Sequence, residues 1–282
     1  MGKTTGGNSM SELTFNVSYS LLSKFQDHKA GALCGYRFEQ ANLRKLFEEP
    51  QSDLAAAGQW FEYMATGALP RDGKVPQALK TKAGEFTALY KHLNNQVTVN
   101  FPIIYQDVTI TEKGKEIIFE YQGYIFKMIL DVVSEQNFIT QVRDIKTSGN
   151  FNEWQGGWIH TNKHPFWDNP HVLQAKIYIW AWWKQTGKIP EFYFDVFANN
   201  NPDDFEVFEI RMNEASLQTF ETDLLELCKE LKGKAQIEGF EPLPTFKRCR
   251  ECKELTNVGG ETLYDVCPYK ALKVTPIVVN IP

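Results

Sequence analysis

Three features that would assign a chain to a membrane, to secretion or to a nucleic-acid surface are missing. No apolar run reaches the eighteen or so residues that a membrane span requires, and the first residues lack the basic-then-apolar order of a secretory signal. Basic residues are not in excess, because 30 Lys and Arg face 35 Asp and Glu. We therefore expect a soluble, cytoplasmic protein without membrane contact, which would meet any nucleic acid through local patches rather than an overall positive field.

Cysteine is also scarce. Five cysteines in 282 residues are too few for a disulfide scaffold, and an odd number without a signal sequence indicates reduced thiols. Apolar residues, in contrast, make up 43% of the chain, which is enough for a substantial core. We expect residues 15–275 to form a single domain, with residues 1–14 as a flexible tail and 276–282 as a second tail.

Apolar residues three or four apart predict helices in the first third of the chain, at 16–28, 34–49, 52–67 and roughly 80–94. The same spacing predicts a strong helix at 171–187, which ends at Gly187 with Pro190 beyond it. A further amphipathic helix is predicted at 214–234.

Between these helices the pattern changes to that of strands. Stretches 97–110, 116–133 and 137–147 are rich in β-branched and aromatic residues, and the sequences at 111–116 and 134–137 are typical of turns. Two more strands are predicted at 191–199 and 205–212, and the tail from Gly239 onward is expected to be irregular.

Two acidic residues stand near the ends of successive predicted strands. Asp131 follows the run FKMIL, and Asp144 precedes Lys146 by two residues, so that on a strand both face the same side. If the two strands are antiparallel neighbours, the carboxylates come together and repel each other unless a cation lies between them. A hard divalent cation such as Mg²⁺ would fit there. The alternative is an ordinary surface ion pair, and D-x-K alone does not decide between them.

Together with other segments, these residues resemble the PD-(D/E)XK nuclease superfamily, and within it the RecB-like and lambda-exonuclease-like branch. That branch has an acidic residue on a helix, a strand ending in Asp, a strand with (D/E)-x-K, and a helix with Gln and a Tyr four residues later. The resemblance runs from about residue 18 to residue 267. The matching segments are GQWFE with Glu62, MILDVV with Asp131, RDIKT with Asp144 and Lys146, and LQAKIY with Gln174 and Tyr178.

The resemblance implies an α/β fold with α+β character, in which a restriction-endonuclease-like core has a mixed central sheet flanked by helices. It implies a Mg²⁺-dependent deoxyribonuclease, with Mn²⁺ as an alternative ion, that hydrolyses phosphodiester bonds of single- or double-stranded DNA as an exonuclease and leaves a 5′-phosphate. The expected setting is recombination, repair or phage DNA processing in a bacterial or phage-infected cell, beside recombination or replication proteins.

The resemblance also implies roles for individual residues. Glu62, Asp131, Asp144 and the carbonyl of Ile145 would hold the metal, and Lys146 would assist the attacking water. The remaining two candidates are Gln174 and Tyr178, which share one helix face and would hold a phosphate or orient the lysine.

Three of the five cysteines lie near the C-terminus. Cys249 and Cys252 form a C-x-x-C pair and Cys267 follows, which is one thiol more than a redox dithiol needs. In the AddB-type nucleases that the chain resembles, these three and one upstream cysteine, here Cys34, hold a [4Fe–4S] cluster. Zinc is the alternative, because four thiolates suit either metal, and buried thiols without a metal are a third possibility. The helical spacing around Cys228 predicts that it lies in the core.

An aromatic segment at 154–167 contains three tryptophans beside Lys163 and His164, a combination that suits stacking of unpaired bases and equally a lid packed over the sheet. A protein of another class also fits the sequence: a catalytically inactive module that uses the same fold and metal–cysteine cluster to hold nucleic acid or a protein. DNA cleavage distinguishes the enzyme from this module.

Overall fold

The computed structural model describes residues 15–70, 73–149, 170–243 and 246–269. The predicted tails at 1–14 and 276–282 and the aromatic segment at 154–167 lie outside the described residues. Within these ranges, no helix combines the length and the apolar character needed to cross a membrane.

Six strands in the described part of the chain form one mixed sheet: β1 Asn16–Val17, β2 Thr109–Tyr121, β3 Tyr124–Gln136, β4 Ile139–Ser148, β5 Glu191–Ala198 and β6 Phe205–Ile210. The order is β1-β3-β4-β5-β6, and β2 pairs with β3 outside this path. The pairs β1–β3 and β4–β5 are parallel, and the other pairs are antiparallel. The predicted α/β fold with a mixed central sheet flanked by helices is therefore confirmed.

The described helices are α1 Tyr19–Lys29, α2 Gly35–Arg37, α3 Asp53–Thr66, α4 Ala88–Asn95, α5 Phe101–Ile104, α6 Pro170–Thr186, α7 Glu214–Gly233, α8 Phe246–Glu251 and α9 Leu263–Val266. π-Helical turns extend α2, α4 and α7. The ends of α3 follow from local chemistry, because the Ser52 hydroxyl accepts the N–H of Ala55 at 3.2 Å and Gly67 takes a left-handed conformation at φ 76°. The predicted helix at 52–67 is confirmed almost to the residue.

The sheet separates two apolar clusters. Along β5, Phe192, Phe194 and Val196 join a large cluster with residues of α1, α6 and α7, whereas Phe197 points to a smaller cluster with α3, α4 and α5. This alternation is that of a strand covered on both faces. Cys228 lies in the large cluster, as its spacing predicts.

The strand predicted at 97–110 is wrong over most of its length. Residues 96–104 are helical, and only Thr109 and Ile110 belong to a strand. The reason is tertiary: the buried Gln96 amide donates to the carbonyls of Ala198 at 3.1 Å, Asn201 at 3.0 Å and Asp204 at 2.8 Å. Anchoring to the β5–β6 loop outweighs the strand preference of the β-branched residues that follow.

The turn predicted at 111–116 is also wrong, because these residues lie inside β2. The strand accommodates Gly114, at φ 58°, and a register shift between Ile110 and Glu112. The true turn lies at Gln122 and Gly123, both with positive φ, and it divides the stretch 116–133 between β2 and β3.

Three helix boundaries and the C-terminal tail differ from prediction. Residues 16–17 are a strand, the helix predicted at 34–49 ends at 43, and the helix predicted from about 80 begins at 88. The first difference has a clear cause, because parallel pairing with β3 takes Asn16 and Val17 out of the helix. The tail expected to be irregular contains the short helices α8 and α9.

Candidate active site

The sheet opens where two acidic residues lie on neighbouring strands. β3 and β4 are antiparallel with Val132 opposite Arg143, and the pairing stops there, one step before Asp131 and Asp144. The Oδ2 atom of Asp131 accepts the backbone N–H of Ile145 at 2.8 Å. This N–H is therefore bonded to a side chain and not to the backbone of β3. Neither acid ends its strand, in contrast to the sequence-based expectation, but the predicted antiparallel pairing does bring them side by side.

Asp144 is the centre of the polar contacts. It is 2% exposed, and its Oδ1 atom accepts a hydrogen bond of 2.6 Å from the Gln174 amide on α6. Its Oδ2 atom forms an ion pair with Lys146, which lies on the same face of β4 as predicted from the spacing of two. Oδ2 has no other hydrogen-bond partner among the described residues.

The α6 helix adds a second polar side chain one turn beyond Gln174. Tyr178 is 8% exposed, and its hydroxyl interacts with Gln174 and lies near Asp144 and Asp131. Burial raises the pKa of Tyr178, and the two carboxylates raise it further against the effect of Lys146. The phenol therefore remains protonated at neutral pH and is available as a hydrogen-bond donor.

Glu62 reaches the same group from α3. This helix packs on β4 at Gly58, where an added Cβ would lie 3.4 Å from the Thr147 hydroxyl oxygen, which is an ordinary contact distance. One turn further on, Glu62 is half-buried and interacts electrostatically with Asp144, Asp131 and Lys146. The structure thus brings together all six side chains that the sequence singled out around Asp144.

The carboxylates are crowded and largely removed from water. Burial raises the pKa of Asp131 well above its usual value, and the charges of Asp144 and Glu62 raise it further. Burial likewise raises the pKa of Glu62 and of Asp144, with Lys146 opposing both shifts. Burial lowers the pKa of Lys146, but Asp144 and Asp131 outweigh it and raise the value. The group carries a negative charge that costs folding free energy at neutral pH.

Replacing Asp131 by Asn is therefore expected to stabilise the protein in the presence of a chelator by about 1–2 kcal/mol. The Asn side-chain oxygen still accepts the Ile145 N–H, while the repulsion with Asp144 and Glu62 disappears. A carboxyl group with a raised pKa favours the folded state when protonated, so the advantage of the variant should be largest at neutral pH and vanish in acid. Thermal melts of both proteins at several pH values measure this difference.

The exposed Asp203 provides the matched control for this experiment. Asp203→Asn removes one carboxylate that is not in the crowded group, and we expect its melting temperature to match the wild type. Equal or lower stability of Asp131→Asn at neutral pH would contradict the repulsion inferred for the cluster.

Two further residues near the site were missed from the sequence. His171 packs its ring against Phe194 at 5.9 Å, and the Lys146 ammonium lies 6.0 Å from the centre of the same ring. Burial lowers the pKa of His171 to about 4, and Lys146 adds to the effect, so the imidazole is neutral at pH 7. The second missed residue is Tyr19, whose hydroxyl interacts electrostatically with Lys146 and Asp144.

A sequence signal exists for one of these two residues. His171 precedes Gln174 by three residues on a helix, which predicts a shared face with Gln174 and Tyr178. Tyr19 has no such signal, because its position depends on the pairing of β1 with β3 at Ile125 and Phe126.

The four cysteines singled out as metal ligands lie in one neighbourhood. Cys34, Cys249 and Cys252 are buried, Cys267 is half-buried, and all are free thiols. Burial raises the pKa of Cys252 to about 12, Arg37 opposes the shift, and the other three thiols add to it. The Sγ atom of Cys34 accepts the backbone N–H of Leu243 at 3.3 Å.

Neither the carboxylates around Asp144 nor the four cysteines are positioned as a complete set of metal ligands. Within the described ranges, no three or more His, Cys, Asp or Glu side chains are arranged to hold a metal. Among the carboxylates this agrees with the ion pair, because Lys146 occupies the Asp144 oxygen that a cation would need. Metal binding at either group would require side chains to move.

Comparison with known proteins extends the description of the fold. No family model and no curated protein matches the sequence. A solved structure from Eubacterium rectale, provisionally named an exonuclease, matches with a TM-score of 0.60 and 14% identity over 99% of this chain and 97% of its own. A second structure, SSO0001, matches over 94% of this chain and 90% of its own, at 14% identity and a TM-score of 0.37. The first likeness shows a shared fold along nearly the whole chain.

Proposed function

We propose that the protein is a metal-dependent DNA nuclease of the PD-(D/E)XK superfamily that hydrolyses phosphodiester bonds. The arrangement around Asp144 carries the proposal: a buried carboxylate contacts Lys146 and Gln174, with Asp131 and Glu62 beside it. A structural role alone does not account for three crowded carboxylates that repel one another, whereas a cation binding site does. The fold shared with the protein provisionally named an exonuclease agrees with the proposal.

The donor set fits Mg²⁺ or Mn²⁺. Apart from the ion pair with Lys146, the buried Asp144 Oδ2 has no partner among the described residues, and the oxygens of Asp131 and Glu62 are the hard ligands these ions take. The carbonyl of Ile145 would complete the protein ligands. Asp131 accepts the N–H of the same residue, which places this part of the Ile145 backbone beside the carboxylates. A bound divalent ion supplies Lewis-acid activation of a water and of the scissile phosphate.

The other residues position the substrate around this group. Lys146 donates to a phosphate oxygen and offsets the negative charge that builds up as the bond breaks. Gln174 holds Asp144 in a fixed orientation through the 2.6 Å hydrogen bond. Tyr178 and the neutral His171 lie on the same helix face as Gln174, where they can donate to phosphate oxygens without adding charge.

The four cysteines are proposed to hold a structural [4Fe–4S] cluster, with Zn²⁺ as the alternative. The thiols lie around Cys252, and the N–H of Leu243 already donates to Cys34, as is common for thiolate ligands of a cluster. Such a site would tie the segment after α1 to the C-terminal segment and stabilise the fold by closing a long loop.

An assay on labelled DNA tests the proposed activity. Metal-depleted protein is incubated with linear and with circular DNA, with Mg²⁺ or with a chelator. We expect the linear DNA to be degraded from its ends to products with 5′-phosphates, and only when Mg²⁺ is added. Intact DNA in all samples, together with DNA binding, would support the inactive binding module instead.

A further inference from the structure

A buried arginine joins the cysteine segments that are far apart in the sequence. Arg37 lies in α2, one turn after Cys34, and its side chain is 14% exposed. Its Nη1 atom donates to Glu251 at 2.6 Å, and its Nη2 atom donates to Glu49 at 2.6 Å. Because Glu251 stands inside the C-x-x-C pair, this arginine connects the first cysteine segment to the later ones.

The third nitrogen of this guanidinium has no hydrogen-bond acceptor among the described residues. The Nε atom of Arg37 is buried and has no hydrogen-bond partner, although the two terminal nitrogens are paired. A buried N–H without an acceptor is destabilising, so its retention indicates an acceptor that is present in the functional state.

A cysteine sulfur lies near this guanidinium. Arg37 and Cys252 lie close enough to interact electrostatically, and Cys252 is 7% exposed. A neutral thiol is a weak acceptor, whereas a metal-bound thiolate is a charged one that forms strong hydrogen bonds with N–H groups. Four thiolates around Zn²⁺ or a cubane cluster also leave a net negative charge that a buried cation offsets.

We infer that Arg37 is a positioning residue of the four-cysteine metal site, which donates its Nε–H to a ligand sulfur and places a buried positive charge beside the ligands. This inference rests on the proposed metal–cysteine site and is independent of the nuclease activity. Both partner glutamates are nearly half exposed, so their own charges remain solvated.

Co²⁺ titration of the metal-free, full-length protein tests the inference, because the thiolate-to-cobalt absorption band reports sulfur ligands alone. We expect Arg37→Gln to weaken Co²⁺ binding about 10–100-fold. Arg37→Lys keeps the charge but loses the Nε–H, so its affinity should fall between the two.

Glu49→Gln is the matched control, because it breaks the same ion pair without touching the Nε donor. We expect its Co²⁺ affinity to stay within about threefold of the wild type. Circular dichroism of each metal-free variant establishes that it is folded. Equal affinity of wild type, Arg37→Gln and Arg37→Lys would overturn the inference, as would an equal loss in Glu49→Gln. Absence of the band in the wild type would remove the cysteine site itself, whether or not the protein cleaves DNA.

Discussion

Asp144→Asn is expected to lower the rate of DNA hydrolysis by about 10²–10³-fold or more. The amide oxygen can still accept the hydrogen bond from Gln174, while the amide nitrogen replaces the oxygen that pairs with Lys146. What is lost is the anionic oxygen that faces Lys146 and that a divalent ion needs. Initial rates on end-labelled linear DNA at saturating Mg²⁺ measure the loss.

Two observations make the Asp144 experiment decisive. The exposed Asp203 again serves as control, and Asp203→Asn should cleave DNA at the rate of the wild type. A melting temperature of Asp144→Asn no lower than that of the wild type would exclude unfolding as the cause, since this variant also relieves repulsion with Asp131. Equal rates in wild type and Asp144→Asn would remove the residue from the reaction.

Gly35→Ala is expected to destabilise the protein by about 3 kcal/mol or more. A Cβ at this position would overlap the carbonyl oxygen of Glu241 and would lie 2.7 Å from the carbonyl carbon of Phe240. The Gly35 N–H also donates to the Glu241 carbonyl at 3.1 Å, so the two backbones cannot separate without losing this bond. Denaturant unfolding of the metal-free protein measures the cost.

The control for this substitution is a glycine with free space. Gly233 has helical dihedral angles, and a Cβ there would meet no atom within 4 Å. Gly233→Ala should leave the protein unchanged or stabilise it by up to about 1 kcal/mol, as Ala favours a helix over Gly. If Gly35→Ala were as stable as Gly233→Ala, the close contact between the α2 segment and residues 240–241 would be wrong.

Local sequence patterns predicted the elements whose ends or faces are determined by residues within the element. Helices α3 and α6 have the glycines Gly67 and Gly187 at their C-terminal ends, both in the left-handed conformation, and their predicted bounds agree with the structure. The spacing of two between Asp144 and Lys146 placed both on one face of β4, because a strand alternates its side chains.

Elements whose conformation depends on distant contacts were not predictable in this way. Residues 97–104 have β-branched side chains but are helical because Gln96 is anchored to the β5–β6 loop. Asp131 was read as a strand end, yet it lies inside β3, and only the separation of β3 from β4 frees its carboxylate for Ile145. Contacts of this kind join residues far apart in the chain, so no periodic pattern in the sequence predicts them.

The proximity of the four cysteines is an intermediate case. The C-x-x-C spacing indicates that Cys249 and Cys252 are metal-ligand candidates, but Cys34 is distinguished only by the family resemblance. In the fold, the ties of Arg37 to Glu251 and of Gly35 to Glu241 bring that segment to the C-terminal one. No sequence pattern predicts either of these two contacts.

Binding of Mn²⁺ by the metal-depleted protein tests the central claim most directly, which is that Glu62, Asp131 and Asp144 form one site for a divalent cation. Mn²⁺ prefers oxygen ligands over thiolates, so it reports on the carboxylates rather than the cysteines. We expect the wild type to bind Mn²⁺. Asp131→Asn should bind it at least about tenfold more weakly. Identical titrations of the wild type and Asp131→Asn would contradict the claim.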